Sequence, residues 1–249
     1  MPLRQSLVQT GKRVAGRFGL EVRRSVSSLG GMERFLERLR QNGLSPRVIL
    51  DVGANAGHWS QQAHQVFPEA RFVLVEPQIE MRPYLEAFCQ STPGSRWELA
   101  GAGREPGELV LTVWPELAGS TLLPVDGDDT REKRTVPIIT IDSLFPEGAE
   151  IPQLAKLDIQ GFELEALSAA NRLFGQTECF IVEVSLFSAL PGMPVLADVV
   201  KFFDERGYKV YDIPGYLRRP LDNALGQVDL AFVLNDGILG RDQRWNARG

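Results

Sequence analysis

Two acids that stand at the ends of apolar runs are the residues best placed by type and spacing to do chemistry. Asp51 lies near the end of the run 48–52, before the glycine-rich turn 53–57, and Glu76 closes the run 71–76. Such runs are typical of buried parallel strands, and ligands of open α/β sheets bind beyond the carboxyl ends of those strands. A carboxylate at this turn repels a pyrophosphate and attracts a cation. An acid after the second strand can accept hydrogen bonds from both hydroxyls of a ribose.

These residue types predict a ligand that combines an adenosine with a positive charge, which describes S-adenosylmethionine. Glycines in the turn leave room for a ligand, and the amino end of the following helix offers unpaired N–H groups. The residues predicted to bind this cofactor are Asp51, Gly53, Ala54, Asn55, Gly57, Glu76, Pro77, Gly101 and Asp158.

Two other interpretations of the turn stay open. It could be a tight strand-to-helix connection with no ligand, or it could bind NAD. The NAD fingerprint requires G-x-G-x-x-G, whereas Asn55 occupies the middle glycine position here, and its side chain crowds a pyrophosphate. With Asp51 just ahead, the turn favours S-adenosylmethionine over NAD.

A second group of polar residues follows the predicted strand 154–159. Asp158 is expected to face the same crevice as the first acid, and it is the main candidate for the base that accepts a hydroxyl proton. Glu163 falls in a first helical turn, where it is either catalytic or only a helix-capping acid. Glu183, near the end of the next strand, is a further catalytic candidate. His58, one of two histidines, is either a base or a residue that begins a helix.

Metal binding is not required by any spacing in the sequence. Asp142, Asp158 and Glu183 are hard oxygen ligands that would suit Mg²⁺. The metal-free and the Mg²⁺-assisted forms of the chemistry therefore both stay open, and S-adenosylmethionine is the cofactor that the residues favour.

Composition limits the class of protein and its partners. With 249 residues, 43% hydrophobic residues and a net charge of −5, the chain is expected to form one large soluble α/β domain without a nucleic-acid partner. Residues 1–40 nevertheless carry nine Lys or Arg against three Glu. This basic segment could touch a membrane surface or an acidic partner, or it could form a solvated lid or a helix packed on its own domain. No apolar run has the ~20 residues of a membrane span. The absence of a signal-peptide core and the two cysteines predict a cytoplasmic protein; the sequence carries no signal for an oligomeric state.

The elements that must position these residues alternate between strands and helices. Predicted helices cover 32–41, 57–66, 79–90, 162–174 and 194–206; predicted strands cover 47–52, 71–76, 95–100, 154–159, 178–185, 208–213 and 227–234. This alternation predicts right-handed crossovers and a mostly parallel sheet with helices on both faces. Two β-like segments, 108–114 and 135–141, predict a small inserted β structure over one end of that sheet.

Eight blocks, in this order, resemble the FkbM-type S-adenosylmethionine-dependent methyltransferase family. They are LDVGANAG (50–57), VEP (75–77), GREPG (103–107), TIDSL (140–144), KLDIQGFE (156–163), VEV (182–184), GY (207–208) and VDLAF (228–232). The resemblance spans about 46–235. It implies a Rossmann-like class I methyltransferase fold, an α/β architecture with a seven-stranded, mostly parallel sheet whose last strand is antiparallel.

The same resemblance implies O-methylation of a hydroxyl on a small-molecule substrate such as a sugar, a glycan or a polyketide-like metabolite. It implies that the turn 53–57 lines the methionine end of the cofactor, that Glu76 holds the ribose, and that Asp158, Gln160 and Glu163 form the floor of the site. Many members carry Glu where this chain has Gln160, so a negative charge at that position is excluded here. We expect a basic helical extension or lid at 1–45, a methyltransferase domain at 46–236 and a tail at 237–249.

Two alternative functions come from other classes of protein. One is a catalytically inactive protein that binds an adenosine ligand and regulates or scaffolds a partner. The other is an NAD-dependent oxidoreductase. The presence of Asp51, Glu76 and Asp158 together favours the enzyme that transfers a methyl group.

Overall fold

The computed structural model describes residues 31–125 and 130–246. Ten strands are present in these ranges: β1 Val48–Val52, β2 Arg71–Val75, β3 Arg96–Glu98, β4 Gly101–Ala102, β5 Gly107–Thr112, β6 Lys133–Ile139, β7 Leu154–Leu157, β8 Cys179–Ser185, β9 Tyr208–Arg218 and β10 Leu225–Leu234. The helices are α1 Met32–Gln41, α2 His58–Val66, α3 Arg82–Ser91, α4 Ile141–Leu144, α5 Glu163–Leu167 and α6 Leu196–Asp204, and a 3₁₀ turn, Ile79–Met81, precedes α3.

Seven of the strands form one sheet in the order β3-β2-β1-β7-β8-β10-β9. Strands β3, β2, β1, β7 and β8 pair in parallel, and β10 runs antiparallel between β8 and β9. The predicted mostly parallel sheet with an antiparallel last strand is therefore confirmed. The chain order reverses at β1, which lies between β2 and β7. A reversal of this kind opens a crevice beyond the carboxyl ends of the strands.

Two apolar clusters cover the two faces of the sheet, because successive side chains of a strand point to opposite faces. Leu50 and Val52 belong to the cluster that contains residues of α5 and α6, and Ile49 belongs to the cluster that contains residues of α1, α2 and α3. In the first cluster the rings of Phe203 and Phe232 stack with centroids 4.0 Å apart. Helices on both faces are thus confirmed.

Helix α1 packs against the sheet through an apolar stripe. Phe35, Leu36 and Leu39 are fully buried, and Arg38 donates to Asp212 of β9 at 2.5 Å. The predicted helix 32–41 is confirmed. Residues 1–30 lie outside the described residues, so the basic lid and the membrane contact stay predictions. Within the described ranges, no helix combines the length and the apolarity that crossing a bilayer requires.

Two predicted boundaries were wrong for reasons that lie in tertiary contacts. The helix predicted over 162–174 ends at Leu167, since the chain then forms turns whose N–H groups at Asn171 and Arg172 donate to the Asp142 carboxylate. The strand predicted to end at residue 213 continues through Pro214 to Arg218. Because β9 is an edge strand, a residue that lacks an N–H is tolerated there.

The predicted inserted β structure is confirmed as a second sheet of three strands in the order β4-β6-β5. The loop between β5 and β6 folds back on this sheet, because Thr112 and Thr121 form a β-bridge. The hydroxyl of Thr121 donates to the carbonyl oxygen of Gln160 at 2.8 Å. This bond attaches the insertion to the segment that follows β7, at the carboxyl end of the main sheet.

Truncation of the stacked phenylalanine should reveal how much the first apolar cluster contributes to stability. We expect Phe203→Ala to lower the free energy of unfolding by about 3–5 kcal/mol, because the side chain is fully buried and leaves a cavity. Phe187→Ala is the matched control, since that ring is 39% exposed, and it should cost less than about 1 kcal/mol. Urea unfolding measures both; equal losses would contradict this description of the core.

Candidate active site

A cavity of about 390 Å³ lies at the carboxyl ends of the central strands, beneath the inserted loop. Its volume is within the range of small-molecule sites, roughly 300–1,000 Å³. The lining residues are 52, 53, 55, 75–78, 100–102, 111, 116, 118–120, 122, 158–160, 183, 217 and 227. Every ionisable side chain among them is acidic, namely Glu76, Glu116, Asp158 and Glu183. The described lining therefore favours a cationic ligand and disfavours a polyanion.

The turn after β1 is shaped by the close approach of two strand ends. Gly53 has φ +79°, and a Cβ atom on it would lie 1.9 Å from the carbonyl oxygen of Asp158. The sequence interpretation assigned this glycine to ligand clearance; the structure assigns it to contact with the end of β7. Asn55, also left-handed at φ +46°, directs its N–H to Glu76 Oε2 at 2.8 Å. The turn and the tip of β2 are thus joined directly.

Glu76 lies in the cavity wall, as predicted, with Pro77 and Gly101 also in the lining. Its residue exposure is 3%, and its Oε1 accepts from the N–H and the side-chain amide of Gln78 at 3.0 and 3.1 Å. Burial raises the pKa of Glu76, and the hydrogen bonds from Gln78 and Asn55 oppose that rise. The carboxylate is held in one orientation by these donors.

Asp51 is placed behind the cavity wall and not in its lining. The residue is fully buried; its Oδ2 accepts from the hydroxyl of Ser60 at 2.6 Å, and its Oδ1 has no hydrogen-bond partner. Burial raises the pKa of Asp51, although the charge of Lys156, its register partner on β7, lowers it. The structure therefore places this carboxylate outside the lining, and its predicted contact with the methionine end of a cofactor stays a prediction.

Three further predicted residues also fall outside the lining. Ala54 and Gly57 are buried in the turn, and Gly57 has φ +74° where α2 begins. His58 is the exposed first residue of α2. The structure therefore brings together Gly53, Asn55, Glu76, Pro77, Gly101, Asp158 and Glu183, and it leaves Asp51, Ala54, Gly57, His58 and Glu163 outside.

The buried Lys156 pairs with Asp158, the candidate base, and stabilises its ionised form. Lys156 Nζ lies 2.8 Å from Asp158 Oδ2, with side-chain exposures of 8% and 30%. Burial would lower the pKa of Lys156, but the carboxylates of Asp158 and Asp51 raise it above its ordinary value. Burial would raise the pKa of Asp158, but Lys156 and hydrogen bonds from Gln160 and Glu183 lower it. Both partners are therefore charged at neutral pH.

Glu183 has the opposite protonation state. Its Oε2 accepts from Gln160 Nε2 at 2.8 Å, and the same nitrogen donates to Asp158 Oδ1 at 3.0 Å. Burial and the charge of Asp158 raise the pKa of Glu183 to about 9. The pKa of Glu183 thus lies above neutral pH, whereas the pKa of Asp158 lies below its ordinary value. Two neighbouring groups whose pKa values are pushed apart are typical of an acid and a base at one site.

Glu163 holds the loop after β7 and does not reach the cavity. Its Oε1 accepts from the N–H groups of Ile159 and Gly161, at 2.9 and 3.2 Å, and the residue is 4% exposed. Burial raises the pKa of Glu163 to about 7. The geometry favours the capping interpretation of this acid over the catalytic one.

Several lining residues were missed by sequence reasoning. Ser120 of the inserted loop donates to Gln78 Oε1 at 3.1 Å, and Leu217 and Gln227 reach the cavity from β9 and β10. The triplet Gly119-Ser120-Thr121 was the sequence feature that could have indicated this loop. Leu217 was missed because β9 continues beyond its predicted end at residue 213, and no sequence pattern indicated that the strand of Gln227 would reach this site.

The three carboxylates considered for Mg²⁺ do not form one group. Asp142 accepts from backbone N–H groups at 171 and 172, whereas Asp158 and Glu183 line the cavity. Across the described ranges, no cluster of three or more His, Cys, Asp or Glu is arranged to hold a metal ion.

The strand order, with β10 antiparallel between β8 and β9, is that of a Rossmann-like class I methyltransferase fold. The family model described as "Methyltransferase FkbM domain" matches residues 51–210, and the chain belongs to that family. The chain is similar to Methyltransferase sdnD of Sordaria araneosa, with 26% identity over 155 residues, 49% of this chain and 60% of that protein. The match thus spans about three fifths of that relative's length.

Two solved structures of methyltransferases align with the chain at low identity and with TM-scores below 0.5. The O-methyltransferase TomG of Streptomyces achromogenes, in complex with SAM, aligns with a TM-score of 0.46 and 11% identity over 91% of this chain and 88% of that one. The N-methyltransferase NodS of Bradyrhizobium japonicum aligns with a TM-score of 0.47 and 9% identity over 81% and 93%.

Substitution of the turn glycine should separate backbone strain from steric conflict. Gly53 and Gly148 both have φ +79°, but a Cβ at Gly148 meets nothing within 4 Å. We expect Gly148→Ala to cost about 1 kcal/mol of unfolding free energy from its left-handed backbone. Gly53→Ala should cost at least ~2 kcal/mol more, because the Asp158 backbone must move. Thermal and urea unfolding measure the difference; equal costs would show that the close approach is unimportant.

The role of Glu163 can be tested through pH. Its pKa rises from 4.5 to about 7 on folding, so its stabilising contribution is complete below pH 4.5 and is lost as the pH rises through 7. Glu163→Gln keeps the Oε1 acceptor and cannot ionise. We expect it to gain roughly 1–3 kcal/mol relative to wild type between pH 5 and pH 8. Glu163→Ala leaves two N–H groups unpaired and should lose about 2 kcal/mol at pH 5. Urea unfolding at pH 5 and pH 8 measures these free energies. Parallel pH dependences of wild type and Glu163→Gln would refute the role of Glu163 as a buried acceptor with a raised pKa.

Proposed function

We propose that the chain is an S-adenosylmethionine-dependent O-methyltransferase that methylates a hydroxyl of a sugar, a glycan or a polyketide-like metabolite. The observation that carries this proposal is the cavity at the strand tips, in whose described lining every ionisable side chain is acidic. Membership of a methyltransferase family supports the reaction type. The chemistry of the lining fits a donor with a sulfonium and an ammonium group.

The cofactor would be held by the residues around the switch point. Glu76 would accept hydrogen bonds from the ribose hydroxyls, and the turn at Gly53 and Asn55 would follow the methionine part. Ala100 and Gly101 line the same cavity and would leave flat space for the adenine. Asp51 would act from behind the wall, through the field of its charge, because its carboxylate does not reach the lining.

When bound, S-adenosylmethionine supplies an electrophilic methyl group. The residues of the chain then have two tasks. Asp158 accepts the proton of the acceptor hydroxyl, and Lys156 keeps that carboxylate ionised before the proton arrives. Leu111, Leu122 and Ile159, which line the cavity beside polar groups, exclude competing water.

The two alternative functions are weaker. An NAD-dependent oxidoreductase must hold a pyrophosphate, and the described lining offers four acids and no cation for it. An inactive adenosine-binding protein would not need neighbouring acids in different protonation states, such as Asp158 and Glu183. The proposal also includes a cytoplasmic location and the division into an extension at 1–45, a methyltransferase domain at 46–236 and a tail at 237–249.

Ligand binding and turnover test this function in sequence. We expect S-adenosylmethionine and S-adenosylhomocysteine to bind in calorimetry, and NADH not to bind. On a panel of sugar and polyketide hydroxyls, the wild-type protein should release S-adenosylhomocysteine. Asp158→Asn should lower turnover about 10²–10⁴-fold and leave cofactor affinity within about threefold, because a base is lost and the cofactor contacts are kept.

Asp204→Asn is the control, since that acid is exposed at the end of α6. It should leave both quantities unchanged. NADH binding without S-adenosylhomocysteine binding would overturn the proposed function. Unchanged turnover of Asp158→Asn would remove Asp158 as the base while leaving the function intact.

A further inference from the structure

The side chain of Gln160 lies between the two acids that differ in protonation. Its single Nε2 atom is 3.0 Å from Asp158 Oδ1 and 2.8 Å from Glu183 Oε2. An amide nitrogen carries two hydrogens, so each acid receives one hydrogen bond. We propose that Gln160 is a positioning residue whose amide bridges Asp158 and Glu183 and holds the two acids together as a pair. This inference rests on the proposed function for its consequence, and not for its geometry.

The remaining contacts of the pair show why one proton is retained. Asp158 Oδ2 accepts from Lys156 Nζ at 2.8 Å, and the interaction with Glu183 lowers the pKa of Asp158 further. Besides burial, the negative charge of Asp158, and that of Glu163 when it is ionised, disfavours the ionisation of Glu183. With one lysine facing several carboxylates, the pair is stable with a single negative charge.

The groups that face the pair come from every neighbouring element. They are Lys156 on β7, Asp51 on β1, Asp229 on β10, Glu163 at the start of α5 and Glu116 of the inserted loop, which lines the same cavity. Four of these five are acids. A neutral donor at position 160 is therefore the group that can join two carboxyl groups without adding charge.

The backbone of Gln160 is held in the conformation that this bridge requires. Its φ is +54°, in the left-handed region that a residue with a side chain rarely adopts. The hydroxyl of Thr121 donates to its carbonyl oxygen at 2.8 Å, and the next residue, Gly161, also has positive φ, at +96°. Strained backbone of this kind persists where surrounding contacts determine it, and it is concentrated at functional sites.

If the amide holds the pair, its loss or replacement by an acid changes the titration of the free protein. We expect wild-type Asp158 and Glu183 to titrate in two well-separated steps, observed by carboxyl ¹³C NMR. Gln160→Ala removes both hydrogen bonds and should raise the lower step by about one pH unit. Gln160→Glu adds a third carboxyl group and should raise it by more than one unit.

Gln227→Glu is the matched control, because Gln227 lines the same cavity from β10 and makes no bridge between the two acids. It should shift the lower step by less than half as much as Gln160→Glu. In turnover assays of the two Gln160 variants, the acidic limb of the kcat profile should move by the same amount as the lower titration step. Their S-adenosylhomocysteine affinity and KM should stay within about threefold of the wild-type values.

Failure of this inference is distinguishable from failure of the proposed function. Identical titration curves for wild type, Gln160→Ala and Gln160→Glu would overturn the inference, whatever the activity. An equal shift in Gln227→Glu would also overturn it, because added charge alone would then explain the effect. Absence of S-adenosylhomocysteine binding would overturn the proposed function, and the titration would still test the bridge.

Discussion

The ion pair between the buried Lys156 and the cavity-lining Asp158 is the interaction on which the candidate site depends. Residues two apart on a strand share a face, so Lys156 lies on the face that also receives Asp51 from β1 and Glu183 from β8. Buried charges persist when they are paired, and removal of one partner from such a pair is strongly destabilising. One lysine thus allows several carboxyl groups to lie close together, with Asp158 ionised and Glu183 protonated. The acidity of the cavity is a consequence of this arrangement.

The close approach of the strand ends connects the fold to the chemistry of the site. The order of the strands places β1 between β2 and β7, and the missing Cβ of Gly53 lets the ends of β1 and β7 approach closely. The tip of β2 is joined to this turn through Glu76, and the inserted loop is joined to the far side through Thr121. The cavity wall is therefore a set of backbone segments held by specific hydrogen bonds, and a shift in one segment moves the others.

The features that depend on local residue patterns could be predicted from the sequence. Apolar runs that close on acids identified β1, β2 and β7 and placed Glu76 and Asp158 at the crevice. The depth of each acid could not be predicted from the local pattern. Asp51 shares a face with Asp158, but it lies within β1 and is fully buried beside Ser60 of α2, whereas Asp158 follows the last residue of β7 and lines the cavity. The roles of Glu163 and Gln160 depend on partners four and twenty-three residues away, so spacing alone could not assign them. The early end of α5 follows from a distant capping contact with Asp142.

The most direct measurement is a crystal structure of the protein with S-adenosylhomocysteine. The ribose hydroxyls should bond to Glu76, the amino-acid part should lie along the turn at Gly53 and Asn55, and the sulfur should face Asp158. An adenosyl ligand bound elsewhere, or a ribose without contact to Glu76, would contradict the assignment of this acidic cavity as the donor site.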